Sequence, residues 1–502
     1  MEDIQLTLSG YHFDDSGRVV APRRVNEFPA VGQTGPFVNY WVSNNAGTNI
    51  TASDIWKVRT NGVRDDSNIA KGVALDIDWD MGNILFRSLS AYNNNKLSYQ
   101  DWDLDNSDVV TTLHVSSSTG NETFSQEFQL QSNNESRLKW ILGLFYYSEN
   151  ASYTEHDVSD NIFAAGGSQS IFDVTRDLDA RALGAFGQIE YSVSDNVEVI
   201  VGLRYNKDNK TMFSTVLNPA FGVVGPNGER VVTVDNSEEW TQPTAKIGVN
   251  YHLGDDVMLY ASYSTGYKSG GYNANPVAYD EENVAAYEVG LKGLWFDRKI
   301  QTNISSFYYD YTDKQEFGRD DLGRARVTNA GEATVWGVEL EASARPIPAL
   351  LIDASVGYVS AEYDEFESRD NVLNFALGFQ DLSGNSLVRT PEWKLYLGLQ
   401  YEWALGEIGQ LVARVDTSWV DKQYARPFNL AVDEIDSYGR TNAQLRWDGE
   451  DDLWQAALYI QNLTDEDGIA NQSPGGALLG FPITAISVLP PRTYGVRITR
   501  QF

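Results

Sequence analysis

The chain has 502 residues and a formal net charge of −32, from 70 acidic and 38 basic residues. This balance excludes a nucleic-acid-binding surface, which needs an excess of lysine and arginine. Cysteine is absent, so disulfides, zinc–thiolate centres and cysteine nucleophiles are excluded too. No run of about 18 apolar residues occurs, and the sequence therefore offers no candidate transmembrane helix.

Alternation of apolar and polar side chains is the dominant pattern along the chain. It is clearest in the segments 197–206, 285–292, 336–343, 394–401 and 454–461. In the first of them, Val199, Val201 and Leu203 alternate with Gly202 and Arg204. Successive side chains of a strand point to opposite faces, so each segment predicts a strand with one apolar and one polar face.

The lengths of the segments and of their connections favour a membrane barrel over a soluble sandwich. The segments have about ten residues or more, which a tilted strand needs to cross a bilayer. Short connections are predicted at 80–83, 132–136, 193–196, 253–256, 296–298, 345–348, 404–409 and 448–451. Long polar ones are predicted near 14–70, 98–120, 150–177, 209–237, 268–280, 312–325, 363–386, 421–435 and 465–490. Short periplasmic turns alternating with long external loops are typical of outer-membrane barrels, and the sequence predicts an all-β, transmembrane antiparallel β-barrel of about eighteen strands.

The end of the chain has the form of a final barrel strand. Tyr494, Val496 and Ile498 share one face with the terminal Phe502. A terminal aromatic on an amphipathic last strand resembles the assembly signal of outer-membrane proteins, so the outer-membrane assembly machinery is a predicted partner.

An acidic segment offers weak candidates for a cation site. Asp101, Asp103 and Asp105 stand at alternate positions and carry the oxygen ligands that Ca²⁺ prefers. A calcium-binding loop of the EF-hand type would need glycine at the sixth position and glutamate at the twelfth, where Asn106 and Thr112 stand. A solvated acidic loop is the simpler interpretation, so neither a metal nor another cofactor is predicted.

Aromatic and basic residues in the predicted long loops are candidates for ligand binding. They are Tyr40, Trp41, Trp56 and Arg59 in the first loop and Arg324 in a later one. Exposed aromatic and cationic groups suit anionic or aromatic ligands, although loops of this size also need residues that pack on themselves. The four histidines are scattered and no catalytic constellation stands out, so the protein is predicted not to be an enzyme.

Several stretches resemble the barrel of TonB-dependent receptors, from about residue 70 to the end. The most specific is the glycine-rich run from Leu259 to Asn273, which is followed by the pattern Tyr287-Glu288-Val289-Gly290-Leu291-Lys292. The runs Asn329-Ala330-Gly331, Trp336-Gly337-Val338-Glu339-Leu340 and Asn462-Leu463-Thr464-Asp465 continue the similarity, and Phe502 closes it.

The resemblance implies a function and a set of partners. Such a receptor lies in outer-membrane lipid, binds a scarce extracellular small molecule and imports it with energy from the TonB complex of the inner membrane. A ferric-siderophore iron complex is the expected cargo, with saccharides and vitamin B12-like compounds as alternatives. A passive substrate-specific porin and a secreted β-rich binding protein also remain open.

The sequence departs from the family pattern at its beginning. Family members carry a plug domain inside a barrel of about 22 strands, whereas residues 1–502 show no plug and about eighteen strands. We expect a partial barrel domain that lacks the plug, with its TonB-contacting segment, and about four strands, because of a partial gene or a trimmed chain. A true plugless channel is the alternative.

Overall fold

The structure is a computed structural model dominated by antiparallel strands. It describes residues 3–19, 23–27, 64–103, 112–160, 168–217, 231–273, 278–319, 325–329, 331–370, 377–450, 453–475 and 483–501. Within these ranges, no helix is long and apolar enough to cross a membrane.

One large sheet contains eighteen of the strands. They are β1 Asp3–Val19, β2 Arg64–Asp80, β3 Ile84–Asp103, β4 Thr112–Ser132, β5 Leu138–Asp160, β6 Ser168–Ser194, β7 Val197–Leu217, β8 Val231–His252, β9 Val257–Lys268, β10 Glu282–Trp295, β11 Ile300–Thr312, β12 Glu332–Ile347, β13 Leu350–Glu365, β14 Trp393–Ala404, β15 Gln410–Val420, β16 Tyr438–Asp448, β17 Trp454–Gln461 and β18 Thr493–Arg500. Each strand pairs antiparallel with the next one along the chain. The predicted fold class and strand number are confirmed.

The short turns lie where the alternation predicts them, all at one end of the sheet. The turn after β14 contains the 3₁₀ turn Gly406–Ile408 and closes at Gly409, whose φ is 99°. A side chain on Gly409 would also come within 2.0 Å of the backbone oxygen of Asp448, so this tight turn requires glycine. The described parts of the long connections lie at the opposite end, here called the loop end.

Strands β3 to β8 extend further than the sequence pattern predicts. They have 20 to 27 residues each and continue into stretches predicted as long loops. Their upper parts are rich in Ser, Thr and Asn, which weakens the apolar alternation without preventing backbone pairing. Polarity alone therefore did not mark the ends of these strands, because hydrogen bonding to the neighbouring strand maintains them.

The outward face of the sheet carries an apolar band between two levels of aromatic residues. At the upper level, Tyr263 and Tyr287 lie 4.9 Å apart between ring centroids, and Tyr358 and Trp393 lie 4.8 Å apart. At the lower level of β14 stands Trp403, ten residues beyond Trp393. Ten residues span about 33 Å along a strand, or about 25 Å across a bilayer at a tilt of about 40°. This height matches the apolar band of outer-membrane barrels.

The inward face is polar, and several of its charges are paired. Arg87 Nε donates to Asp78 Oδ1 at 2.6 Å between β3 and β2. Arg414 on β15 lies 3.3 Å from Asp353 on β13 and donates to the Tyr396 hydroxyl on β14 at 2.7 Å. Such pairs are tolerated on the inner face of the sheet because water and opposite charges solvate them there, whereas lipid would not.

A seam separates the first strand from the last. Among the described residues, no ladder joins β1 with β18. Leu8 on β1 is 73% exposed, compared with 42% for Leu397 in the middle of the sheet, because β1 has a neighbour on one side. Arg23–Glu27, which follows β1, pairs with Ile483–Val488, which precedes β18. This pairing across the seam requires the sheet to roll into a barrel.

Charge placed in the apolar band should destabilise the barrel. We expect Leu397→Arg to lower the free energy of unfolding by about 2–4 kcal/mol, because the outward side chain would sit near the middle of the lipid. Urea titration of the protein folded into lipid vesicles measures this change.

The matched control is Gln400→Arg on the inward face of the same strand. The introduced charge there would lie beside Glu402, to which Gln400 donates at 2.9 Å. Equal destabilisation by the two variants would contradict the assignment of the lipid-facing surface.

Candidate functional site

Small hairpins structure the connections at the loop end. They pair Gly271–Tyr272 with Ala278–Tyr279, Gln315–Arg319 with Ala325–Asn329, Glu367–Arg369 with Phe379–Asp381, Gln423–Tyr424 with Glu434–Ile435, and Ile469–Gly475 with Ile483–Val488. Paired backbone leaves few free donors and acceptors, so these connections can hold side chains in defined positions around the barrel mouth. We call this set of hairpins the rim.

The glycine-rich run is a strand end that turns into the first rim hairpin. Lys210 on β7 donates from Nζ to the backbone oxygen of Gly270 at 2.6 Å, and its ammonium group lies 5.5 Å from the Trp240 ring centre. A Cβ at Gly270 would come within 2.5 Å of Trp240 and 2.3 Å of the Tyr279 backbone oxygen. Glycine is needed here for close packing, and the run has no phosphate-loop geometry.

Neighbouring hairpins of the rim are joined by side-chain amides. Asn273 donates to the backbone oxygen of Val327 at 2.9 Å and accepts from the Val327 N–H at 2.6 Å, as a strand neighbour would. Gln315 donates to the backbone oxygens of Ser269 at 3.1 Å and Asp280 at 3.0 Å. These bonds connect the two hairpins that follow β9 and β11.

A hydrophobic cluster supports the next part of the rim. Its buried members are Ala333, Ala361, Tyr363, Phe366, Leu382 and Leu387, with Phe428 packed against them. They come from β12, β13 and the connections after β13 and β15. Each buried large side chain contributes about 1.5–3 kcal/mol, so the cluster fastens these connections to the barrel wall.

A buried ion triad lies beside that cluster. Arg426 donates from Nε to Asp433 at 2.6 Å and from Nη1 to Asp370 at 2.9 Å, and both carboxylates are fully buried. The guanidinium carbon stands 5.3 Å from the Phe428 ring centre. Burial raises the pKa of Asp433, while the attraction of Arg426 opposes that rise. Arg426 therefore joins the connection after β13 to the connection after β15 through an interaction that water does not screen.

The residues predicted for ligand binding lie outside the part of the chain that the structure describes. This holds for Tyr40, Trp41, Trp56, Arg59 and Arg324. The Asp105 cation candidate and Phe502 also fall outside it, and for Asp101 and Asp103 only the backbone, at the end of β3, is described. In the described ranges, no three His, Asp or Glu side chains are grouped so as to hold a metal ion. These assignments remain predictions.

Sequence reasoning did not predict the contacts that hold the described rim together. Asp370 and Arg426 are 56 positions apart, and Asn273 and Val327 are 54 positions apart. Their only local signal was an Asp, Arg or Asn in a predicted loop, which is also where solvated residues of those types occur.

The fold and the rim together define a class of protein. The chain is an antiparallel β-barrel with an apolar outer band, a polar interior and structured connections at one end. The family model for the β-barrel of TonB-dependent receptor-like proteins matches residues 8–463. The chain therefore belongs to the TonB-dependent receptor family, and the predicted family is confirmed.

Curated relatives are similar over part of the chain. The pesticin receptor of Yersinia enterocolitica is 25% identical over 192 residues, which is 37% of this chain and 26% of that protein. The metal-pseudopaline receptor CntO of Pseudomonas aeruginosa is 27% identical over 193 residues, or 38% of this chain and 25% of that protein. The chain thus aligns with about a quarter of the length of these relatives.

Solved structures share the fold at low sequence identity. The ferric yersiniabactin uptake receptor FyuA from Yersinia pestis superposes with a TM-score of 0.74 at 17% identity, covering 89% of this chain and 63% of that one. The ferric-catecholate import receptor Fiu from K12 E. coli gives 0.71 at 16% identity, covering 99% and 72%.

Loss of Arg426 should loosen the rim in a pH-dependent way. Arg426→Ala leaves two buried carboxylates without their cation, and breaking a buried pair costs about 3–5 kcal/mol. A raised carboxyl pKa favours the folded rim at low pH, and this advantage disappears as pH rises through the pKa. Compared with the unsubstituted protein at the same pH, Arg426→Ala should therefore raise the amide hydrogen-exchange rates of residues 421–437 by a larger factor at pH 8 than at pH 5.

The matched control is Arg492→Ala, which removes an exposed ion pair with Asp465 at 3.1 Å. Exposed pairs contribute up to about 1 kcal/mol, so this variant should leave exchange in the rim nearly unchanged. If Arg426→Ala behaves like Arg492→Ala at both pH values, the triad does not hold the rim.

Proposed function

We propose that this chain is the barrel portion of an outer-membrane receptor that binds a scarce extracellular ligand and imports it with energy from TonB. The match of the family barrel over residues 8–463 carries this proposal. The apolar outward band and the paired charges of the interior support it, since they suit a barrel that stands in lipid and encloses a wet path. Its described residues offer binding surfaces rather than a catalytic constellation, so we propose no covalent chemistry.

The proposed cargo is a ferric-siderophore-type iron complex. Two structural neighbours are described as receptors for ferric yersiniabactin and for ferric catecholates, and a curated relative as a receptor for metal–pseudopaline. An iron chelate of this kind is large, polar and often anionic, so aromatic faces and arginine forks suit it. We propose Tyr40, Trp41, Trp56, Arg59 and Arg324 as its contacts.

Uptake of radiolabelled iron in a deletion strain tests the function. The strain should regain uptake of a panel of ferric siderophores when it carries the gene in its full reading frame, and uptake should stop when TonB is deleted or the proton gradient is collapsed. Uptake that continues without TonB would identify a passive channel. Growth on saccharides or vitamin B12 with no effect on iron would contradict the proposed cargo.

The proposed contacts can be tested in the same strain. Trp41→Ala combined with Arg59→Ala should weaken binding of the ferric siderophore by about tenfold to a hundredfold, as expected for the loss of an aromatic and an arginine contact. Cell-surface binding at low temperature, before transport, measures this. Phe296→Ala, at an exposed phenylalanine of the short turn after β10 and therefore at the end opposite the rim, is the control. A double variant that binds as tightly as the control would remove these residues from the site.

We further propose that additional strands of the same polypeptide close the seam. Val19 and Thr493 are joined through the paired segments Arg23–Glu27 and Ile483–Val488, which limits their separation to about 45 Å. Four more strands at about 4.8 Å spacing need about 24 Å, which fits within that limit. Closure would also satisfy the backbone groups on the free edges of β1 and β18, which lipid cannot do.

Hydrogen exchange distinguishes a closed seam from an open one. In a chain extended upstream in the same reading frame, the edge amides of β1 and β18 should become as protected as those of β10. Residues 1–502 alone should show rapid exchange at both edges. Unprotected edges in the extended chain would contradict closure by its own strands.

A further inference from the structure

We infer that the outward face above the apolar band holds a binding site for an uncharged saccharide unit of an outer-leaflet glycolipid. The site is a cavity of about 680 Å³ on strands β3 to β7. We call it the outward pocket. The inference rests on the proposed outer-membrane placement and goes beyond the imported ligand, since the pocket faces away from the barrel interior.

Register places the pocket on the outward face. Tyr92 on β3 and Phe124 on β4 are paired outward residues at the top of the apolar band. Side chains two positions further along each strand lie on the same face. They form a lower row across five strands, Asn94, Glu122, Asn150, Asp179 and Thr211.

A second row lies two residues higher, and it gives the pocket its depth. In register across β3 to β7, it contains Lys96, Gly120, Ser152, Asp177 and Phe213. Gly120 and Ser152 are small and form a floor, while Lys96 on one side and Phe213 on the other form walls. All ten residues of the two rows line the cavity.

The lining suits a ligand with many hydroxyl groups. Carboxylates accept hydrogen bonds, the Lys96 ammonium donates, and the Asn150 amide does both. The Phe213 ring, 43% exposed, offers an apolar face at the pocket edge. Hydroxyls that both donate and accept, on a ring with apolar C–H faces, match this combination, and such a ring is a saccharide.

The charges of the pocket argue against a phosphate group. One lysine stands among the three carboxylates Glu122, Asp177 and Asp179. Two of the carboxylates are already engaged, because Asn94 donates to Glu122 at 2.6 Å and Arg181 lies 3.1 Å from Asp179. Anionic head groups are bound by clusters of basic residues, and this lining has the opposite balance.

The height of the pocket argues for a lipid-anchored saccharide. On β3 and β4, the lower row lies about 7 Å above Tyr92 and Phe124 along the strands and the upper row about 13 Å, which is about 5 Å and about 10 Å along the bilayer normal at a tilt of about 40°. Polar head groups extend only about 5–8 Å beyond the hydrocarbon core on each side. On these two strands the lower row therefore lies at head-group level and the upper row beyond it, where a saccharide attached to the lipid would stand.

A second, smaller cavity with several polar side chains lies on another part of the sheet. It has a volume of about 230 Å³ and is lined by Thr265, Asn283, Asp310 and neighbouring residues. Thr265 and Asn283 follow the upper-level aromatics Tyr263 and Tyr287 along the same face, and Asp310 follows Tyr308 on β11. Cavities with polar side chains above the aromatic level thus occur at two places on the sheet.

Binding to purified protein in detergent tests the outward pocket. The probes are lipopolysaccharide with its core oligosaccharide, the same oligosaccharide released from its lipid, and phosphatidylethanolamine. Ser152→Trp fills the floor, and Thr241→Trp places the same side chain on the outward face of β8, outside the pocket. The slower gel migration of boiled protein confirms that each variant is folded.

We expect Ser152→Trp to weaken lipopolysaccharide binding by about tenfold, as for the loss of one or two hydrogen bonds, and Thr241→Trp to change it less than about twofold. Asp177→Asn, which keeps the shape of the side chain, should weaken lipopolysaccharide binding less than Ser152→Trp does. Released oligosaccharide should bind more weakly than lipopolysaccharide and with the same dependence on Ser152.

Four outcomes would overturn the inference. Equal affinities of Ser152→Trp and Thr241→Trp would mean that the pocket is not used. Binding that requires Mg²⁺ would point to a cation-bridged phosphate instead. Released oligosaccharide that binds as tightly as lipopolysaccharide would indicate a soluble saccharide, and stronger phosphatidylethanolamine binding an ordinary lipid. Absence of the protein from the outer-membrane fraction of cells would refute the placement separately, because the binding assay is performed in detergent.

Discussion

Pairing of backbone N–H and C=O groups from strand to strand is the constraint on which the rest of this molecule depends. In lipid no water can satisfy these groups, so a spanning sheet has to roll up and close. Antiparallel ladders join β1 through β18 in order, and hydrogen bonds across the seam bring the first and last connections together. The rolled-up sheet then has two surfaces of opposite chemistry, formed by one alternating chain.

Because of these two surfaces, neighbouring residues of a strand face different surroundings. On β14, Leu395, Leu397 and Leu399 face lipid, while Gln400 faces the interior. Several charges of the interior are paired, as Arg414 is with Asp353, and these pairs keep the interior polar. At the loop end an ion triad is buried away from water. Arg426 there binds the carboxylates of Asp370 and Asp433, and it joins the connection after β13 to the connection after β15.

The resulting rim combines rigidity with accessible side chains. Its hairpins are joined by amide side chains such as Asn273 and fastened by the cluster around Tyr363. A receptor benefits from such a frame because a preorganised site spends less binding free energy on ordering itself. Above the aromatic level the outward face is polar as well, so the polar surface of the barrel extends to its outside at the loop end.

The sequence by itself determined the fold class, the strand number, the short turns and the family, because side-chain alternation and turn residues are local properties. It did not determine the upper ends of β3 to β8. The Ser, Thr and Asn residues there predict loops, although the strands remain hydrogen-bonded to their neighbours. Only the tertiary structure decided which distant residues meet, as with Asp370, Arg426 and Asp433, or the five strands of the outward pocket. Register between strands and packing between loops depend on partners far away in the chain, and a local sequence pattern does not identify those partners.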